Sequence, residues 1–96
     1  MPDWKFITNH GAVCALIYKN ERITSREIAA KIGITERSVV RILSDLEDAG
    51  YIERIREGRS NKYSVAIGLN LRHSFAREVA VIEFLKLFEG KVSPQG

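Results

Sequence analysis

Two helix starts and two helix stops lie between Thr24 and Gly50, and they leave this stretch little freedom in how it can fold. Thr24-Ser25-Arg26-Glu27 fits a capping box, in which the threonine hydroxyl accepts a first-turn backbone N–H and the glutamate three residues on reaches back to the cap. Ile28, Ala29 and Ile32 follow with helical spacing, and Gly33 stands where a left-handed residue ends a helix. Only Ile34 separates that stop from Thr35, a second cap. The helix it opens runs through about Ala49, with Val39, Ile42, Leu43 and Leu46 at i, i+3, i+4 and i+7, and Gly50 closes it. Two capped helices joined by a few residues containing a glycine are the pattern of a helix-turn-helix.

The flanks complete an order of elements. A first helix is expected after Thr8 or Asn9, either of which can cap it, with Ala12, Val13, Leu16 and Ile17 on its buried face. Lys19-Asn20-Glu21-Arg22 breaks that pattern, and Ile23 fits a short strand. Trp4, Phe6 and Ile7 make the first ten residues too apolar for a free tail. After Gly50 the period changes. Tyr51 to Arg56 reads as a strand, Glu57 to Asn61 as a hairpin loop, and Lys62 to Ile67 as the returning strand. Gly68 to Arg72 connects to a last helix, capped by Ser74 and running through about Glu89 to a stop at Gly90, with a tail from Val92. The expected fold is mainly α with a small β-hairpin wing: a winged helix-turn-helix over 1–72, a C-terminal dimerisation helix over 73–90 and a tail over 91–96.

Composition bounds function mostly by exclusion. A chain of 96 residues, 45% hydrophobic and 28% charged, suits one ordinary globular domain and excludes a disordered or collagen-like chain. A net charge of +3 is too small to argue for nucleic acid by itself, so the placement of the charges has to decide. One cysteine, Cys14, allows no internal disulfide and no cysteine-based zinc site, and its apolar neighbours make a buried, inert thiol the expectation. His10 and His73 are too few for a metal site within one chain. No Ser/His/Asp set and no glycine-rich phosphate loop appears, so neither catalysis nor a cofactor is expected. The N-terminus lacks signal-peptide character and no apolar run reaches membrane-spanning length. The expected location is the reduced cytoplasm, associated with the nucleoid.

The charges are placed informatively. Opposite the buried stripe of the third helix, near its start, stand Arg37, Ser38 and Arg41, the two arginines one turn apart. Arginine pairs bidentately with guanine O6 and N7, and serine serves several bases or phosphates. The helix start itself offers free backbone N–H groups to a phosphate. Asp45, Glu47 and Asp48 lie in the last turns, the end phosphate would repel. The hairpin carries Arg54, Arg56, Arg59 and Lys62 against Glu53 and Glu57, with Gly58, Ser60 and Asn61 at its tip, which suits the phosphate backbone or the minor groove. In the last helix Val79, Val81, Ile82, Phe84, Leu85, Leu87 and Phe88 wrap most of the circumference, which calls for burial from more than one side. A homodimer interface through Val81, Phe84, Leu85 and Phe88 is expected, with Trp4, Phe6 and the first helix as additions. A two-fold dimer would read a pseudo-palindrome with half-sites about 10 bp apart or a multiple of that.

These residues also carry a resemblance. Ile23-Thr24-Ser25-Arg26-Glu27-Ile28-Ala29, followed by Ile34-Thr35-Glu36-Arg37-Ser38-Val39, is similar to the helix-turn-helix of MarR/ArsR-type winged-helix regulators. Leu43 with Leu46 to Ile52 resembles their passage from recognition helix to wing, and Arg56 to Tyr63 resembles the wing itself. The resemblance covers about residues 8–67. It implies a homodimeric prokaryotic repressor or activator bound to double-stranded DNA. By it, Thr35, Arg37, Ser38 and Arg41 meet bases or nearby phosphates, and Arg56, Arg59 and Asn61 the backbone or minor groove; Ser60 and Lys62, on the same basic hairpin, complete the expected DNA contacts. The chain is shorter than a typical MarR protein and lacks the cysteine pairs and His/Asp clusters of metal-sensing ArsR proteins, so no metal trigger is implied and any small-molecule effector stays unspecified. Two other uses of the fold stand beside this one. A protein-interaction adaptor would show no DNA affinity, and an RNA-binding winged helix would prefer RNA to duplex DNA.

Overall fold

The computed structural model describes residues 7–66 and 80–88. Helix α1 (Asn9–Lys19) is capped by Thr8, whose Oγ1 accepts the Gly11 N–H at 3.1 Å. It buries Val13, Cys14, Ala15 and Ile17 and packs against every other helix and the second strand of the wing, which makes it the centre of the core. Helix α2 (Ser25–Ile32) opens with the expected capping box: the Glu27 N–H donates to Thr24 Oγ1 at 3.1 Å, and the Thr24 N–H to Glu27 Oε1 at 2.9 Å. Helix α3 (Glu36–Asp48) follows at once, with Val39, Ile42, Leu43 and Leu46 all buried. Ala49 is its C-cap and Gly50 takes the left-handed turn at φ 83°. The Tyr51 N–H reaches back to the Leu46 carbonyl at 2.8 Å and the Gly50 N–H to that of Glu47 at 3.0 Å, the paired closure of a Schellman motif. That closure points the chain directly into the hairpin.

The hairpin differs from the expected one. Strands β1 (Ile52–Glu57) and β2 (Ser60–Val65) pair antiparallel, Ile52 with Val65 through Glu57 with Ser60. The loop is therefore Gly58-Arg59, not the five residues 57–61. Gly58 has φ 61° while Arg59 has none of the positive φ that would mark a second left-handed residue. This is the glycine-first pattern of a type II′ turn, whose twist matches that of the strands and lets pairing run to the last residue. Ile23, expected as a short strand, is buried coil. The segment before it is tied to the wing by a backbone bond, from the Tyr63 N–H to the Glu21 carbonyl at 2.8 Å.

The last helix also differs. Helix α4 is Val81–Lys86, and Ala80 before it is extended at φ −70°, ψ 145° without a side-chain cap. The expected cap at Ser74 and stop at Gly90 lie outside the described residues, as do Trp4 and Phe6. Val81 and Leu85, one turn apart, are 3% and 0% exposed and belong to the same core as α1–α3. They are therefore not free to form a dimer interface: the apolar face they make is used on the chain's own first helix. Phe84 and Phe88 are half-buried against that core in an edge contact at 5.3 Å between ring centres. A Cβ built at Gly11 on α1 would crowd Ile7 Cγ2 at 3.0 Å, while the tip of the Phe84 ring, at 3.5 Å, would be in ordinary contact. Leu87 points outward, 74% exposed.

Candidate nucleic-acid interface

The start of α3 is held by hydroxyls. Thr35 Oγ1 accepts the Ser38 N–H at 3.0 Å and donates to Ser38 Oγ at 3.0 Å. Thr35, though exposed, thereby spends its hydroxyl on both groups of Ser38 and holds the first turn of α3. Ser38 receives that bond and keeps its own O–H to donate. Ser25 Oγ donates to Glu36 Oε2 at 3.2 Å, tying the start of α2 to the start of α3 and occupying the one carboxylate in the first turn. Arg37 and Arg41 are both exposed, one turn apart, and form no ion pair or hydrogen bond among the described residues.

The acidic end of α3 is largely occupied too. Asp45 Oδ2 lies 2.8 Å from His10 Nε2 on α1, and Glu47 Oε1 lies 3.3 Å from Arg54 on β1. The sequence treats these acids as solvated helix charges. In the structure, two of the three brace α3 against its neighbours. Exposed pairs of this kind are worth about 0–1 kcal/mol each, so their effect here is on orientation and local charge.

The wing is less uniformly basic than its sequence suggests. Arg56 Nε folds back onto the Gly58 carbonyl at 2.8 Å, and Lys62 Nζ faces Glu21 at 4.0 Å. Arg22 grips Glu57 through two parallel bonds, Nε to Oε1 at 3.1 Å and Nη2 to Oε2 at 3.3 Å. This fork joins the loop after α1 to the end of β1 and neutralises the acid nearest the tip. Arg59, in the turn itself, is exposed and has no partner among the described residues. Ser60 and Asn61 sit beside it, Asn61 half-buried, on the wall of a groove of about 330 Å³ between the wing and the start of α2. Two surfaces thus carry positive charge without a partner among the described residues: Arg37 with Arg41 on α3, and Arg59 at the wing tip. Arg22 was missed by sequence reasoning. Its partner is 35 residues away, and no local pattern marks such a pair.

Cys14 is buried in α1, and burial pushes its thiol up to about 11, away from the reactive thiolate. Among the described residues no group of His, Cys, Asp and Glu could hold a metal ion, and no helix is long and apolar enough to cross a membrane.

Comparisons with known proteins agree with this geometry. Residues 12–53 match a family model described as winged helix-turn-helix DNA-binding. An uncharacterized protein of Methanocaldococcus jannaschii is 36% identical over 63 residues, 65% of this chain and 13% of that protein. Riboflavin kinase of Thermococcus kodakarensis is 50% identical over 38 residues, 40% of this chain and 18% of the kinase. The chain thus spans under a fifth of either relative, and such a share transfers no enzymatic activity. Among solved structures, a MarR family protein of Mycobacterium tuberculosis aligns with TM-score 0.56 and 21% identity over 86% of this chain and 58% of its own. IscR of T. potens aligns with TM-score 0.62 and 16% identity over 97% and 94%. At these identities the likeness is one of fold. Residues 12–53 of this chain match the winged helix-turn-helix DNA-binding family, and the fold that holds them is a winged helix.

Proposed function

We propose that this chain is a sequence-reading regulator of transcription that binds double-stranded DNA as a homodimer, with α3 in the major groove and the wing tip on the backbone or minor groove. The observation that carries the reading is the bare arginine pair: Arg37 and Arg41 on the exposed side of a doubly tied helix start, with neighbouring acids engaged elsewhere. In the groove these two serve base edges or adjacent phosphates, and Ser38 offers its spare hydroxyl donor. Thr35 acts by holding the turn that carries them. On the wing, Arg59 is the principal phosphate contact, with Ser60, Asn61, Arg56 and Lys62 around it.

The dimer has less surface on α4 than the sequence implies. With Val81 and Leu85 in the core, the partner would meet Leu87 and the outer edges of Phe84 and Phe88. The test is a selection of bound duplexes from a random pool by the full chain, followed by footprinting. Two protected stretches about 10 bp apart, or a multiple of that, fit a two-fold dimer. A single protected stretch with sedimentation as a monomer removes the dimer, and recovery of no sequence removes sequence reading.

A further inference from the structure

Val40 stands on α3 one turn after Arg37 and one turn before Ser44, at the edge of the helix's exposed face, and is 52% exposed. It belongs to no part of the buried cluster, whose contribution from this helix is Val39, Ile42, Leu43 and Leu46. Among the described residues it is not one of those packed into or against the core, and a β-branched residue in an exposed helix position is a poorer helix former than alanine. An apolar side chain one turn from the Arg37 guanidinium, which has no partner among the described residues, cannot be covered by an ordinary apolar partner without burying that charge as well. It can face a surface that is itself an apolar spot among anions. The major groove of DNA has such a spot in the C5-methyl of thymine, which lies among hydrogen-bonding base edges and is bordered by phosphates.

We infer that Val40 is a specificity-determining residue that packs on a thymine methyl group, so that the sequence read by α3 contains a thymine beside the base or bases met by Arg37 and Arg41. The inference rests on the proposed groove binding by α3 and names one base within it. The stiff χ1 of valine suits the task, since its methyl groups are held in place without ordering a long side chain. Arg37 and Arg41 supply the hydrogen bonds and charge, and Val40 supplies discrimination by shape between thymine and a pyrimidine without the methyl.

The test replaces each thymine of a duplex selected by the full chain with deoxyuridine, one at a time, which deletes the methyl and leaves every hydrogen-bonding group in place. Affinity is measured by fluorescence anisotropy for the wild type and for Val40→Ala, with circular dichroism to show that the exposed substitution leaves the fold intact. One thymine in each half-site is expected to cost the wild type about fourfold on losing its methyl, the loss for one buried methyl group. Val40→Ala is expected to bind the two duplexes alike. Equal binding of every deoxyuridine duplex by the wild type, a selected sequence without thymine, or undiminished methyl sensitivity in Val40→Ala would each overturn the assignment while leaving groove binding in place. Failure of the wild type to bind any duplex would overturn both.

Discussion

Replacing Thr35 with valine removes one oxygen and almost no volume, and it separates the two roles a cap residue at a DNA surface can have. That oxygen accepts the Ser38 N–H and donates to Ser38 Oγ, both at 3.0 Å. Without it the first turn of α3 has an orphan donor and a serine hydroxyl without its partner. Loss of an N-cap of this type costs about 1 kcal/mol, within a range of roughly 0.5–2. For a domain of this size that corresponds to a urea midpoint lowered by about 0.5–1 M at unchanged slope. Thr35→Ser retains the acceptor and should leave the midpoint within error of wild type. Thr35→Asp also caps, and its charge suits a helix start. It should be at least as stable as wild type while binding DNA less well, because the carboxylate sits where phosphate approaches. Urea unfolding followed by circular dichroism, with duplex binding measured on the same samples, reads both effects. A valine variant with unchanged midpoint but weakened DNA binding would show that the hydroxyl contacts DNA and does not hold α3, refuting its role as a positioning group.

Other consequences can be checked by similar means. Leu85→Ala should cost about 2–5 kcal/mol, as for a fully buried leucine, even though α4 has only six residues; a cost within error of zero would show that α4 is not part of the core. Arg59→Ala should weaken binding to all duplexes alike and lower the salt slope by about one unit, whereas an effect on a single sequence would make Arg59 a base contact. Cys14 binds its proton more tightly folded than unfolded, so folding stability from this group is full below pH 9.0 and is lost as pH rises towards about 11, because the unfolded chain releases the proton first. Unfolding followed between those two pH values should show this fall in the wild type, and a shallower one in Cys14→Ala.

The sequence reveals most where local chemistry decides the structure. Thr24, Glu27, Gly33, Thr35 and Gly50 act within one or two turns of themselves, and the helix pair stands where they place it. The stripe of Val39, Ile42, Leu43 and Leu46 is buried as its period implies. The hairpin itself stands where the strand pattern puts it, but its loop length is not legible, because Gly58 looks like any loop glycine; only its left-handed φ beside an ordinary Arg59 reduces the loop to two residues. In the last helix, apolar residues nearly all round do not show which side is occupied from within, and the structure packs Val81 and Leu85 into the core shared with α1. Side-chain pairs distant in sequence, Arg22 with Glu57 and His10 with Asp45, have no local signal, although they decide which acids are engaged. Val40 escaped notice because periodicity selects residues that point inward.

The measurement that tests groove reading by α3 most directly is a salt series of duplex binding, comparing wild type with Arg37→Ala/Arg41→Ala on a selected duplex and on random DNA. The wild type should favour the selected duplex, with affinity for both falling steeply as salt rises, and the double variant should lose the preference while keeping weaker, salt-dependent binding through the wing. A double variant that still prefers the selected duplex would contradict groove reading by α3, and a wild type that binds no duplex at low salt would contradict DNA binding itself.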